Sequence, residues 1–210
     1  LVNGDRFIIR SSEWTAGGGQ IIDSNPNTLV RKNKNRLERL TILSQGSIIE
    51  KIINELNFNE TLDLNTISNH LEIPENNLED IIDDLKGNKK LIAIHVDGEN
   101  DVYISDNNWK KIVANTNELL NKFHLENPLK SGMAKEEFKQ RLSITEKHYK
   151  NVLNQLVSES VIREEESTFS QLGHQATPTK DQEFLIDSYL KYLSSNQFSP
   201  PTDKQMDMDL

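Results

Sequence analysis

Two clusters of cations are the residues best suited to chemistry. Arg31, Lys32, Lys34, Arg36 and Arg39 place five positive charges in nine residues, opposed only by Glu38. Side chains of this kind at that density suit contact with phosphate, where charge supplies most of a protein's affinity for RNA. The plainer alternative is a solvated linker running into a helix start. A second set, Lys135, Lys139, Arg141, Lys147, His148 and Lys150, is interleaved with Glu136, Glu137 and Glu146. It could form a modest basic face for phosphate, or a mixed-charge surface of helical ion pairs.

Other chemistries find no support. The five histidines (His70, His95, His124, His148 and His174) include no pair at i, i+4, so no metal site is expected. Zero cysteines remove disulfides, thiolate ligands and a cysteine nucleophile. Ser, His and Asp occur without a nucleophile elbow or a paired-acid context, so catalysis within this chain is not expected. The net charge of −9 argues against a generic polyanion binder. Screening confines a charge's field to about 10 Å, however, so a local basic patch can still act. No apolar run reaches the roughly 20 residues of a membrane span, and the given residues show no signal-peptide pattern. A cytoplasmic, monomeric chain without membrane partners is expected. Because it starts with Leu, the sequence is expected to be a piece of a longer protein.

These cations must be positioned by a chain that reads as mainly α with small β-hairpin wings. Residues 1–30 stand apart: Gly4–Arg10 reads as a turn and strand, Gln20–Asp23 as a second strand, and Gly17, Gly18 and Gly19 as a tight passage between them. Two such strands are not stable alone, so they are expected to be the terminal strands of a β-barrel domain outside this chain, followed by a linker. Residues 31–105 form a first module. Its helix over Ser47–Leu56 has apolar Ile48, Ile49, Ile52, Ile53 and Leu56. Leu62 and Leu64 suggest a short strand, and Asn65 an N-cap for a helix to Leu71. Pro74 opens an acidic helix that Gly87 ends. Asp97-Gly98 marks a hairpin between Leu91–Val96 and Asp101–Ser105. That order is the order of a winged helix, a helix-turn-helix relative.

Residues 106–173 repeat it. A long helix from Asn107 to about Leu125 is stopped by Pro128, which cannot donate a hydrogen bond and restricts Asn127. Gly132 supplies a turn, a short helix runs from Ala134 to Leu142, and Ile144 and Thr145 open a third helix. Val161–Arg163 and Thr168–Leu172 frame an acidic wing tip at Glu164–Glu166. Residues 174–210 contain one more amphipathic helix, Lys180–Leu193, read as the first helix of a truncated third module. The whole reads as tandem winged-helix modules in an elongated arm. In the first module the third helix carries Glu75, Glu79, Asp80, Asp83 and Asp84, which repel phosphate, so that module is read as a spacer or a protein contact.

Three segments carry a family resemblance. They are Gly4-Asp5-Arg6-Phe7 through Gly17-Gly18-Gly19-Gln20-Ile21-Ile22-Asp23; His124 to Leu142 with Pro128-Leu129-Lys130-Ser131-Gly132-Met133; and Gln182-Glu183 with Phe198-Ser199-Pro200-Pro201. Together they resemble the carboxy-terminal part of the SelB family, the bacterial selenocysteine-specific elongation factors. They correspond there to the end of the third β-barrel domain, winged helices 1 and 2, and the start of winged helix 3. Glu13-Trp14-Thr15-Ala16 departs from the Pro and apolar residue expected near the glycine triplet. The resemblance implies a translational GTPase that brings selenocysteinyl-tRNA to the ribosome at UGA by binding an mRNA hairpin. It implies no cofactor in this part: GTP and Mg belong to an upstream domain, and this chain has no GxxxxGK[ST] or NKxD-like motif. It makes this chain the RNA- and ribosome-associated arm. The alternative is a tandem winged-helix module for protein interaction or transcriptional regulation.

Overall fold

The fold is mainly helical with small antiparallel sheets. The computed structural model describes residues 2–24, 26, 34–95, 101–142, 144 and 146–195. It divides into two compact units, one of Leu1–Thr116 with Leu142–Glu159, the other of Asn117–Arg141 with Ser160–Leu210.

The first unit opens with a hairpin, β1 (Arg6–Arg10) paired with β2 (Thr15–Gln20). Here the glycine triplet lies inside the second strand, not in a passage before it. Phe7 faces Gly19 across the ladder, and a Cβ on Gly19 would come within 2.9 Å of the Phe7 ring. Gly19 makes room for that ring, much as an aromatic covers a bare strand position. Both strands are exposed along their length.

Helix α1 (Lys34–Gln45) ends at Gly46, and α2 (Ile48–Phe58) begins on a capping box. Ser47 Oγ accepts from the Glu50 amide at 3.3 Å, while the Ser47 amide donates to Glu50 Oε2 at 2.7 Å. Strand β3 (Leu62–Asp63) leads into α3 (Leu64–Leu71). The N-cap is Asp63 rather than Asn65, its Oδ1 accepting from the Thr66 amide at 2.7 Å. Pro74 precedes α4 (Glu75–Gly87), and β4 (Leu91–Ile94) pairs with β5 (Val102–Ser105). The expected Asp97-Gly98 turn lies outside the described residues. One apolar cluster unites these elements through Ile52, Leu56, Ile67, Leu78, Ile82 and Leu91. Each comes from the helical or strand spacing that buries one face.

Helix α5 (Asp106–Glu126) starts in the first unit, where the Asn108 side chain donates to the Leu56 carbonyl at 2.8 Å. It ends just before Asn127-Pro128, as the proline dictates. Strand β6 (Met133–Ala134) then forms where the sequence suggests only an elbow, and α6 (Lys135–Arg141) follows. A 3-10 turn (Glu146–His148) leads into α7 (Tyr149–Ser158), which the compact division places in the first unit. In the second unit β7 (Ile162–Glu164) and β6 both pair with β8 (Thr168–Gln171). The two three-stranded sheets share one order, β3-β5-β4 and β6-β8-β7. Buried Leu120, Phe123, Met133, Phe138 and Phe169 form the apolar interior of this unit, with the Phe138 and Phe169 rings 5.0 Å apart. Helix α8 (Lys180–Ser195) buries no residue and leaves Phe184 and Leu190 exposed.

Gly132 has a different reason from the turn expected of it. Its φ is not positive, but a Cβ there would lie 2.6 Å from the Phe169 carbonyl oxygen. Glycine is needed because β8 passes too close for any side chain.

Candidate nucleic-acid interface

In the first cluster, Arg31 and Lys32 lie outside the described residues. Lys34 opens α1, and Arg36 follows half-buried. Arg39 is committed inside the fold. Its Nη1 bonds Asp23 Oδ2 at 2.9 Å and its Nη2 bonds Glu55 Oε1 at 2.7 Å, while the guanidinium lies 4.3 Å from the centre of the Phe58 ring. Glu55 is only 1% exposed and also meets His70 Nδ1 at 3.1 Å. Burial alone would push the Glu55 carboxyl up, but the bonds from His70 and Arg39 outweigh it and hold the carboxyl below its usual range. The bond to Glu55 pushes His70 up in turn. Moving Arg39 to a phosphate would strand a buried carboxylate, which costs about 3–5 kcal/mol. Arg39 is thus held in the fold by Asp23 and Glu55.

The second cluster is divided between the units. In the second unit, Lys135 bonds Glu164 and lies 5.3 Å from the centre of the Phe169 ring, fastening α6 to the wing. Arg141 pairs with Glu137 one turn back at 2.7 Å. Lys139 is exposed on the same helix. In the first unit, Lys147 reaches Asp63 Oδ2 at 2.7 Å. Despite its partial burial, the Asp63 carboxyl is drawn down to about 2 by Lys147 and the Thr66 amide and hydroxyl. His148 is 7% exposed, with Nδ1 2.6 Å from Thr61 Oγ1. Burial, assisted by Lys147, lowers its pKa. The His148 ring is thus turned into the fold, away from the exposed face expected of it. Lys150 is exposed on α7.

Helix α7 occupies the position from which winged helices read a DNA groove. Here it packs against β4 and buries Asn151, Val152 and Leu156. Trp109 Nε1 donates to Glu159 Oε2 at 3.0 Å just past its end. In α4, Glu75, Glu79, Asp80, Asp83 and Asp84 are all exposed, which keeps that helix hostile to phosphate. Exposed Lys139 and Arg141 on α6 and Lys150 on α7, with half-buried Arg36 on α1, are among the cations these elements offer a polyanion.

Residues 118–170 match the family model for the winged helix of elongation factor SelB. The chain thus carries a SelB-like winged helix, built from the later part of α5 through β8. The match covers about a quarter of the chain. No curated protein matches the chain. Among the described residues no helix is long and apolar enough to cross a membrane, and no group of His, Cys, Asp or Glu could hold a metal ion.

One arrangement that joins the SelB-like segment to the residues just beyond it was not legible in the sequence. His124 Nε2 accepts from the Gln171 amide at 3.3 Å, and its ring stacks on His174 at 3.4 Å between centroids. Burial first, and then the neighbouring His174, lower its pKa. His174 Nε2 lies 3.1 Å from the Lys130 carbonyl, which ties the elbow to the chain after β8. Fifty residues separate the two rings in sequence, and no local spacing links them. Glu55 did carry a signal: it falls on the apolar stripe of α2, where a carboxylate must find partners.

Proposed function

We propose that this chain is the tandem winged-helix arm of a SelB-type, selenocysteine-specific translation factor. The match of residues 118–170 to the SelB winged helix carries this reading. The repetition of the same sheet order in β3–β5 and β6–β8 supports a second module of the same kind before it. In this reading the arm performs no catalysis. GTP and Mg act in a domain of the parent protein, which delivers selenocysteinyl-tRNA to the ribosome in the cytoplasm. The arm links that body to the part that reads the mRNA hairpin.

The residues define how such an arm would meet RNA. With α7 packed on β4 and α4 acidic, base reading through either helix is disfavoured. The exposed cations can still neutralise phosphates of an RNA or ribosomal surface, which gives contact without sequence preference. The test is a titration of the chain with a selenocysteine-insertion hairpin and a scrambled hairpin at several salt concentrations. Weak, salt-steep and nearly equal binding to both is expected. Changing Lys32, Lys34 and Arg36 together to Gln should lower the slope of log K against log salt by about 2–3, at roughly 0.7–0.9 per phosphate contact. Tight, salt-resistant and sequence-specific binding would overturn the reading. The exposed acidic face of α4 favours a second reading, a protein-interaction module. That reading gains if no RNA binding occurs at low salt.

A further inference from the structure

Glu72 ends α3 with φ 55 and ψ 39, a left-handed conformation in which Gly or Asn is usual. An ionic side chain at such a position calls for an explanation, because observed backbone strain points towards a use. Its carboxylate accepts from the Asn3 amide at 3.1 Å (Oε1) and 3.2 Å (Oε2), and from Ser24 Oγ at 3.0 Å. Asn3 precedes β1 and Ser24 follows β2, so one carboxylate holds both ends of the hairpin. Beside Ser24, Asp23 bonds Arg39 of α1, Arg39 bonds Glu55 of α2, and Glu55 bonds His70 of α3. His70 lies two residues before Glu72, which closes a ring of polar contacts. Ile22 adds an apolar anchor against the core cluster.

We propose that this ring is a latch that carries the β1–β2 hairpin as a fixed extension of α1–α3. The hairpin's orientation is then set by Glu72, Asp23 and Arg39, and is independent of the length of the segment 25–33. The inference stands whether or not the chain acts in translation.

The absence of cysteine permits clean labelling. Spin labels go on Ser12→Cys at the hairpin tip and Asn76→Cys at the start of α4, both exposed. The distance distribution of the full chain is then measured. A single narrow peak is expected, unchanged when six Gly/Ser residues are inserted between Thr28 and Leu29. Glu72→Gly suits the left-handed backbone and keeps the helix end, yet removes the carboxylate. It should broaden the peak at least about twofold while the melting temperature holds. Glu72→Asn, also at ease in that conformation, should do the same. The latch is overturned if the insertion broadens the peak as much as Glu72→Gly does, or if both Glu72 variants stay narrow. Collapse of both variants in thermal melts would overturn it too, since a latch leaves the helices intact.

Discussion

Gly132→Ala puts the packing of the SelB-like segment to a test of sign. With no positive φ at this position, alanine fits the backbone, and reduced freedom in the unfolded chain would stabilise by about 0.4–1 kcal/mol. The structure predicts the reverse. The new Cβ would stand 2.6 Å from the Phe169 carbonyl oxygen and 3.0 Å from Thr168 Cβ. To reach an ordinary contact of about 3.4 Å, β6 and β8 must separate by about 0.8 Å. Only two residue pairs join these strands, Met133 with Phe169 and Ala134 with Thr168, so the pairing is what gives. Overpacking costs about 1–3 kcal/mol, and partial exposure of Met133 and Phe169, now at most 1% exposed, adds to it. A net loss of about 2–3 kcal/mol lowers the melting temperature by roughly 5–10 °C. Thermal unfolding measures the loss. Hydrogen exchange at the Lys135 amide, which donates to the Ser167 carbonyl at 3.1 Å, reports the pairing locally. A variant that melts at or above the wild type with that amide still protected would refute the close-approach argument.

The ion cluster around Glu55 and the bond between Thr61 and His148 give two further expectations. Glu55 raises the pKa of His70, so the stability it contributes is full below His70's unfolded value near 6.5 and is lost as pH rises through the folded value. The stability difference between wild type and His70→Asn should therefore shrink with rising pH by under about 1 kcal/mol, since the ring is partly exposed. Denaturant unfolding at pH 5.5, 7 and 8.5 checks it, and a gap that widens with pH reverses the sign. Thr61→Val leaves the buried His148 Nδ1 without its partner and should cost about 1–3 kcal/mol. Chemical denaturation measures that loss, and a change under about 0.5 kcal/mol would mean the bond is not made.

Much of the local structure was legible in the sequence. The apolar spacing of α2, α4 and α5 marks their buried faces, and Pro128 stops α5 where expected because its effect is local. What escaped depends on chain segments meeting in space. Gly132 looks like a turn residue until β8 is laid beside it. Gly17–Gly19 look like a break until Phe7 is placed over Gly19. Asp63 outcompetes Asn65 as a cap because helix α3 begins two residues earlier than a cap at Asn65 implies. Among the candidate contacts, Arg39 and His148 are held inside the fold for one reason. A cation or imidazole reads as exposed from sequence, but Glu55 and Thr61 supply buried partners that sequence distance hides. The Glu72 left-handed cap gave no local warning, since its partners lie 48 and 69 residues away.

If these modules serve a selenocysteine-specific factor, as proposed, they should work in a chimera with one. Residues 34–195 would replace the corresponding winged-helix modules of a working SelB factor, and selenocysteine insertion at a reporter UGA would be measured. On this proposal insertion should persist, reduced where the borrowed arm meets its neighbours. A stably folded chimera that only terminates at UGA, while the parent factor inserts normally, would contradict it.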